Sequence, residues 1–467
     1  MNGPTKGGAD MTAEGPTNSL PRVWLGAAST VITPPAGSEL SGFIARTTPM
    51  AGVHDELHAR ALVWSGGSTP DDAIALVTLD AIDLNADTVA AIRAWATAQV
   101  GIPGERIGVV CTHTHGGPAT LAGRWLGRAD ADYLALLPRL AGGAIAQAAR
   151  RLEPVTPTYA CGHEATVGRN RRVPGGVSDP AVPILRFQRP DGTVAALLLS
   201  YACHPVTLGP DNLLATADYP GYAMRALEAS YPGALAVFAT GCCGQINTGH
   251  TARDGAHGRG QRWRTYGEAE RLGRMVAGAA MQAVEGAARA AVGRRATAAS
   301  PRPVPVGAVR RAVMLPLLAT PPGDELDRLT EGWRAERERF VGERGAAGAI
   351  AQLTAWLEWA EALRSERLPT TIAAEVQVLT LGDTALVLLP GELFVEFGLA
   401  IKERAAGRDV VTIAYANGTP GYIPHRSAYP EGGYEVAEAF RYYGYPAPFA
   451  PEAGELLVEA ALALLAD

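Results

Sequence analysis

Five short apolar runs in this chain each break off into a polar or glycine-rich motif: AIALVTLD at 73–80, GVVCT at 108–112, AALLLSYA at 195–202, LAVFA at 235–239 and ALVLL at 385–389. Runs of this length and aliphatic character read as buried strands. Three of them run into His-Thr-His-Gly-Gly-Pro, Cys-His-Pro and Pro-Gly-Glu respectively. The chain is thereby held to an α/β plan with its chemistry at strand ends. Asp87 to Gln99, between the first two runs, has helical character, giving a β-α-β unit, and Val23 to Arg46 reads as a strand entering a tight turn at Pro34, Pro35 and Gly37.

The 467 residues, 47% apolar and 19% charged, exclude a disordered or fibrous chain. A soft prior of about 150 residues per domain gives about three domains, but α/β enzymes often use about 200–250 in one, so one or two large domains are expected. Residues 1–20 read as a flexible leader and 21–467 as a single catalytic domain. A helical insertion is expected at about 300–370, where Glu, Arg, Ala, Trp and Leu recur at helical spacing from Gly323 to Arg367 after the Pro-rich connector Ser300–Ala308. The net charge of −6, without a Lys/Arg run, gives no reason to expect a nucleic-acid partner or an anionic membrane. The leader has no apolar core of a secretion signal, and no run of 18 or more apolar residues spans a bilayer. The five cysteines (111, 161, 203, 242, 243) lack the spacing of a disulfide framework. A cytoplasmic location is therefore expected.

Four segments carry candidate chemistry. In a strand, residues two apart share a face, so His113 and His115 would point to one site; the competing reading is a single histidine bonded in a turn. His204 ends another apolar run and is a ligand candidate or a satisfied structural histidine. Asp218, 14 residues on, either orients a ligand or caps the helix that starts near Tyr219. Glu392 opens the amphipathic stretch LFVEFGLAIKER, where it either favours the helix dipole or completes a His/His/Glu set. Seven of the 14 tyrosines lie between Tyr415 and Tyr445, in Gly- and Pro-rich sequence too irregular for a core stripe, and are expected to wall a binding site. Cys242 and Cys243 read as buried small residues, since no cysteine-hydrolase signature accompanies them.

In order, these segments resemble the catalytic domain of the neutral/alkaline, non-lysosomal ceramidases and their bacterial relatives. The resemblance runs from Val23 to Pro446. It rests on G-x5-I-T-P-P at Gly26–Pro35, HDELHARAL at 54–62, THTHGGP at 112–118, Arg169-Asn170-Arg171, the His204 to Asp218 segment, PGE at 390–392 and NGTPGYIP at 417–424 with its following Y and YE. It implies a zinc ion held by His113, His204, Glu392 and Tyr422. It also implies that His115 contacts substrate or moves a proton, that Tyr434 lies near the scissile bond, and that Arg171 contacts substrate. Zinc would activate water and polarise a carbonyl, giving an amine and a carboxylate.

The family's Gly-Asp-x-Ser-Pro falls here on Gly244-Gln245-Ile246-Asn247-Thr248. Asn247 can donate a hydrogen bond to an oxyanion but cannot act as a hydroxyl nucleophile. The chain ends about where the catalytic domain does, so no C-terminal immunoglobulin-like domain is expected, and ceramide is not the expected substrate. The expectation is an α/β fold with mixed β-sheets flanked by helices. Its function would be zinc-dependent hydrolysis of an amide (N-acyl) bond in a small molecule. Three rivals remain: a (β/α)₈ amidohydrolase, which also carries an HxH at a strand end; the same metal site acting on an ester, lactam or glycosidic bond or in a non-hydrolytic reaction; and a degenerate relative that only binds a ligand.

Overall fold

The computed structural model describes residues 22–121, 123, 127–251, 262–292, 304–365, 368–405 and 407–466; the leader expected at 1–20 lies outside them. Strands β1 (Val23–Val31), β2 (His58–Ser65), β3 (Ile74–Leu79), β4 (Ile107–Cys111), β5 (Glu153–His163), β6 (Ala181–Gln188), β7 (Val194–Tyr201) and β8 (Leu235–Thr240) form one sheet in the order β8-β7-β6-β5-β1-β2-β3-β4. Strands β9 (Val306–Pro316), β10 (Thr371–Leu381), β11 (Thr384–Leu388) and β12 (Asp409–Ile413) form a second sheet in sequential order. Both are mixed: β3/β4, β7/β8 and β11/β12 run parallel and the other neighbours antiparallel. The parallel β3/β4 pair, joined through α1 (Ala86–Val100), is the expected β-α-β unit. The sheets do not close into a barrel, which removes the (β/α)₈ alternative.

Both faces of the central strands are buried, and alternation divides the work. On β2, Ala59, Ala61 and Val63 enter the cluster on the helical side, whereas Leu62 and Trp64 enter the cluster shared with the second sheet. On β11, Ala385 and Val387 take one side and Leu386 and Leu388 the other. That two-sided burial explains the continuous apolar runs in the sequence. Helices α2 (Ala131–Ala149), α3 (Asp218–Ser230) and α4 (Tyr266–Val292) cover the eight-stranded sheet, and α7 (Val395–Arg404) and α8 (Ala453–Ala466) cover the four-stranded one. Between β9 and β10 the chain makes a helical hairpin, α5 (Gly323–Phe340) and α6 (Ala347–Ser365), with its own core of Leu326, Trp333, Leu353, Trp359 and Leu363. Val306–Pro316, at the start of the range expected as connector and insertion, is a full strand instead. Its side chains are exposed or only partly buried along nearly the whole length, Leu315 excepted, so it offers no continuous apolar run.

Arg93 of α1 ties the two sheets together: Nε donates to the Ile107 carbonyl at 2.9 Å and Nη2 to Glu375 Oε1 at 2.7 Å. Burial works to raise the Glu375 carboxyl, but Arg93 and then Arg310 outweigh it and hold the group below its ordinary value. The pairing therefore stabilises the fold in full above the unfolded-state value and is lost as pH falls through the lower folded one. Urea titrations between pH 7 and pH 3 should show a shallower acid loss of stability for Glu375→Gln than for the parent chain.

Candidate metal centre

Six loops at strand ends are stitched into one shell by main-chain hydrogen bonds. Thr112 N donates to Leu79 O at 2.9 Å and His113 N to Ala81 O at 3.0 Å, carrying the chain past the end of β4. His204 N donates to Ile246 O at 2.9 Å, Gly244 N to Leu393 O at 2.8 Å, Glu392 N to Gly421 O at 2.9 Å and Tyr415 N to Gly391 O at 3.2 Å. Backbone pairing makes the shell largely independent of side-chain identity.

His113 does not lie in a strand. Its φ is 64°, in the left-handed region that a non-glycine residue rarely adopts, and β4 has already ended at Cys111. The two histidines of the HxH motif do face each other, with Nε2 atoms 3.4 Å apart, but through this turn rather than through the pleat of a strand. Tyr415, also left-handed at φ 55°, stacks on the His113 ring with centroids 4.0 Å apart. Two strained residues are thus packed face to face at the site.

The His113 and His204 rings each have their outer nitrogen fixed. His113 Nδ1 lies 2.8 Å from Ile82 O, and His204 Nδ1 lies 2.7 Å from Cys243 O. Since a carbonyl only accepts, both rings carry their proton on Nδ1 and present the Nε2 lone pair inward. Burial pushes His204 down to about 4 and His115 well below its ordinary value, keeping both neutral. Among the described residues His113, His115 and His204 form a cluster whose donor atoms lie within 4.8 Å of one another, able to hold a metal ion.

Glu392 sits in the same centre. It is not in the first turn of α7, which starts at Val395, but in the two-residue strand Glu392–Leu393, which pairs in parallel with Tyr422–Ile423 and sets Glu392 opposite Tyr422. Its Oε2 is 3.0 Å from His204 Nε2 and 3.3 Å from His113 Nε2, and Tyr443 Oη donates to its Oε1. Tyr422 Oη stands 3.4 Å from His204 Nε2 and accepts from Arg171 Nη2 at 3.0 Å. Burial drives the Tyr422 phenol up, against the pull of Arg171.

Glycine makes the close approach possible at two points. A Cβ on Gly244 would stand 2.5 Å from Glu392 O, and one on Gly391, where φ is 79°, 2.5 Å from Gly421 O. Gly244→Ala should therefore lose about 1–3 kcal/mol of stability by overpacking. Metal-uptake titration of the folded variant should show weaker binding, because the main chain that must yield is that of Glu392.

The remaining sequence candidates are placed as follows. Arg171 donates through Nε to Glu435 Oε1 at 2.8 Å and through Nη2 to Gly244 O at 2.9 Å, so its guanidinium is built into the wall beside Tyr422. Tyr434 begins a single π-helical turn, Tyr434–Glu438, with its ring 5.6 Å from that of Tyr422. Asn247 is fully buried, and the partners of its side chain lie in its own turn: Nδ2 donates to His250 O at 2.8 Å and Oδ1 accepts from Gly249 N at 2.9 Å. Gln245 accepts from Val395 N at 3.0 Å, at the start of α7. Asp218 accepts from Leu208 N at 3.1 Å and Tyr219 N at 2.6 Å, pinning the loop after His204 to α3. Among the tyrosines, 415, 422, 434 and 443 surround the centre, whereas Tyr429 Oη bonds Phe449 O, away from it. Sequence reasoning misses Tyr443, Tyr415 and Glu435 as individual residues; only their place in the tyrosine-rich segment marks them.

No protein-family model and no curated protein matches the chain. Among solved structures, the neutral ceramidase from Pseudomonas aeruginosa superposes with a TM-score of 0.68 at 19% identity, over 96% of this chain and 75% of that one. A ceramidase complexed with C2 gives the same score and identity over 95% and 75%. At this identity the likeness is one of fold, and the expected mixed α/β fold of a ceramidase catalytic domain is the one found.

Proposed function

We propose that the chain is a zinc-dependent hydrolase that cleaves an amide, N-acyl bond in a small molecule. One observation carries the metal: the facing donor atoms of His115, His113, Glu392, His204 and Tyr422 are spaced successively at 3.4, 3.3, 3.0 and 3.4 Å. Zinc–nitrogen distances of about 2.0–2.1 Å in a tetrahedron require ligand atoms roughly 3.3 Å apart. The donor set is also chemically right, with two lone-pair imidazoles, a carboxylate and a phenol. His113, His204, Glu392 and Tyr422 would hold the ion. When bound, zinc supplies a Lewis acid for the substrate carbonyl and brings the pKa of water toward about 7.

The chain's own groups do the rest. The Ile82 and Cys243 carbonyls keep His113 and His204 in one tautomer, and Tyr443 holds Glu392 by its second oxygen. His115, neutral and half-buried, takes a proton at Nε2 as water attacks the carbonyl carbon and passes it to the departing nitrogen as the C–N bond breaks. The products are a carboxylate and an amine. Arg171 and Tyr434 line a cavity of about 710 Å³ beside this centre, of the size that admits a small molecule. Asn247, engaged in its own turn, is not assigned the oxyanion role.

Elemental mass spectrometry of protein purified without added metal, paired with hydrolysis assays on N-acyl amines, esters and glycosides, tests this reading. About one zinc per chain together with release of carboxylate from amides supports it. A chain that neither carries zinc nor takes it up at micromolar concentration would be a ligand-binding relative instead.

A further inference from the structure

The helical hairpin α5–α6 is far from the histidines in sequence, yet it grips the segment that touches Glu392. Arg441 lies with its guanidinium carbon 5.4 Å from the ring centre of Trp333, 4.9 Å from Trp356, 5.3 Å from Trp359 and 4.9 Å from its neighbour Phe440. Among the described residues no carboxylate forms an ion pair with it and its Nε has no hydrogen-bond partner; burial pushes it down to about 10, with Glu438 opposing. A cation held in this way is held by aromatic faces. Trp359 Nε1 adds a second tie by donating to Tyr445 O at 2.7 Å. Between these two anchors stands Tyr443, whose Oη donates to Glu392 Oε1.

We propose that Arg441 is a positioning residue: seated in the tryptophan cage of the hairpin, it fixes the 441–445 segment so that Tyr443 holds the Glu392 carboxylate toward His113 and His204. The hairpin then sets the metal affinity of a centre that it does not touch. This rests on the metal reading above. Side chains that orient a ligand from behind typically change metal affinity about 10- to 100-fold when removed. The cage itself is ready-made in the chain: three tryptophans on two helices, packed in a core that Phe440 also joins.

The test is a double-mutant cycle in the full chain, with zinc affinity read by chelator competition. Arg441→Ala should weaken zinc about tenfold and Tyr443→Phe by at least as much, while the double variant should be no weaker than Tyr443→Phe alone. Arg441→Lys, which keeps a cation for the cage, should recover most of the loss. Unchanged affinity in folded Arg441→Ala, or losses that multiply in the double variant, overturns the proposal, since a merely structural arginine would lower stability equally in both backgrounds. Should Arg441→Ala fail to fold, Trp356→Leu opens one wall of the cage and is read the same way. If the parent chain binds no zinc, the metal reading fails, and a crystal structure of Arg441→Ala then decides this one. Tyr443 displaced from Glu392 sustains it, and Tyr443 unmoved refutes it.

Discussion

His204→Ala is expected to abolish zinc binding and to cut hydrolysis by more than about a thousandfold, since even residues behind a ligand are worth about 10- to 100-fold. His204 is the hinge of the centre. It has no exposed surface, its Nδ1 is spent on Cys243 O, and its Nε2 faces both Glu392 Oε2 and Tyr422 Oη. Alanine would leave a buried cavity and take one partner from the buried Glu392 carboxylate, so a loss of about 2–5 kcal/mol in stability accompanies the effect. Zinc content, activity and urea midpoint measured on one preparation separate the causes. A stable, zinc-free, inactive variant supports a ligand role, whereas a stable variant that keeps its zinc removes His204 from the ligand set.

Glu435→Gln should be the most damaging conservative change outside the ligands. Glu435 is buried and divides its two oxygens between Arg171 Nε at 2.8 Å and Arg172 Nη1 at 2.7 Å; the arginines are themselves only 7% and 12% exposed. Burial tends to raise this carboxyl, and Arg171 foremost brings it below its ordinary value. Glutamine keeps the shape but removes the charge, leaving two guanidiniums largely desolvated and close together. Breaking a buried pair in this way costs about 3–5 kcal/mol. Glu431 is the built-in control: it is 60% exposed and 3.4 Å from Arg172, so Glu431→Gln should cost less than about 1 kcal/mol. Equal urea midpoints for the two variants would mean that Glu435 carries no special burden. Because Arg171 also donates to Tyr422 Oη, Glu435→Gln should lower activity as well as stability.

The strands that a reader of sequence finds are those buried on both faces. The runs at 73–80, 108–112, 195–202, 235–239 and 385–389 all correspond to strands, with ends within about one or two residues. Half-exposed β9, with its arginines at 310 and 311, offers no such run and falls in the range read as connector and helical insertion. At the site, motifs name His113, His204, Glu392 and Tyr422, and the structure brings them together. The reasons are less legible. The HxH pair converges because His113 adopts a left-handed backbone, which no side-chain alternation reveals, and Glu392 belongs to a two-residue strand whose partner is 30 residues downstream. Asn247 shows the opposite limit: its residue type permits an oxyanion donor, but only its local turn tells where its amide goes.

The strands β9 and β10 are paired from Val306↔Leu381 to Pro316↔Thr371, so the chain leaves the sheet for the hairpin and returns at adjacent positions. Residues 317–370 are thus an excursion whose two ends already meet, and a short turn would close the sheet without them. The hairpin contributes one wall of the cavity beside the centre, whereas the loops carrying the histidines are joined by their own main chain. Such an arrangement separates what can be exchanged from what cannot. A different hairpin, grafted at the same two residues, would offer another pocket to the same chemistry, provided that it brought with it a seat for Arg441.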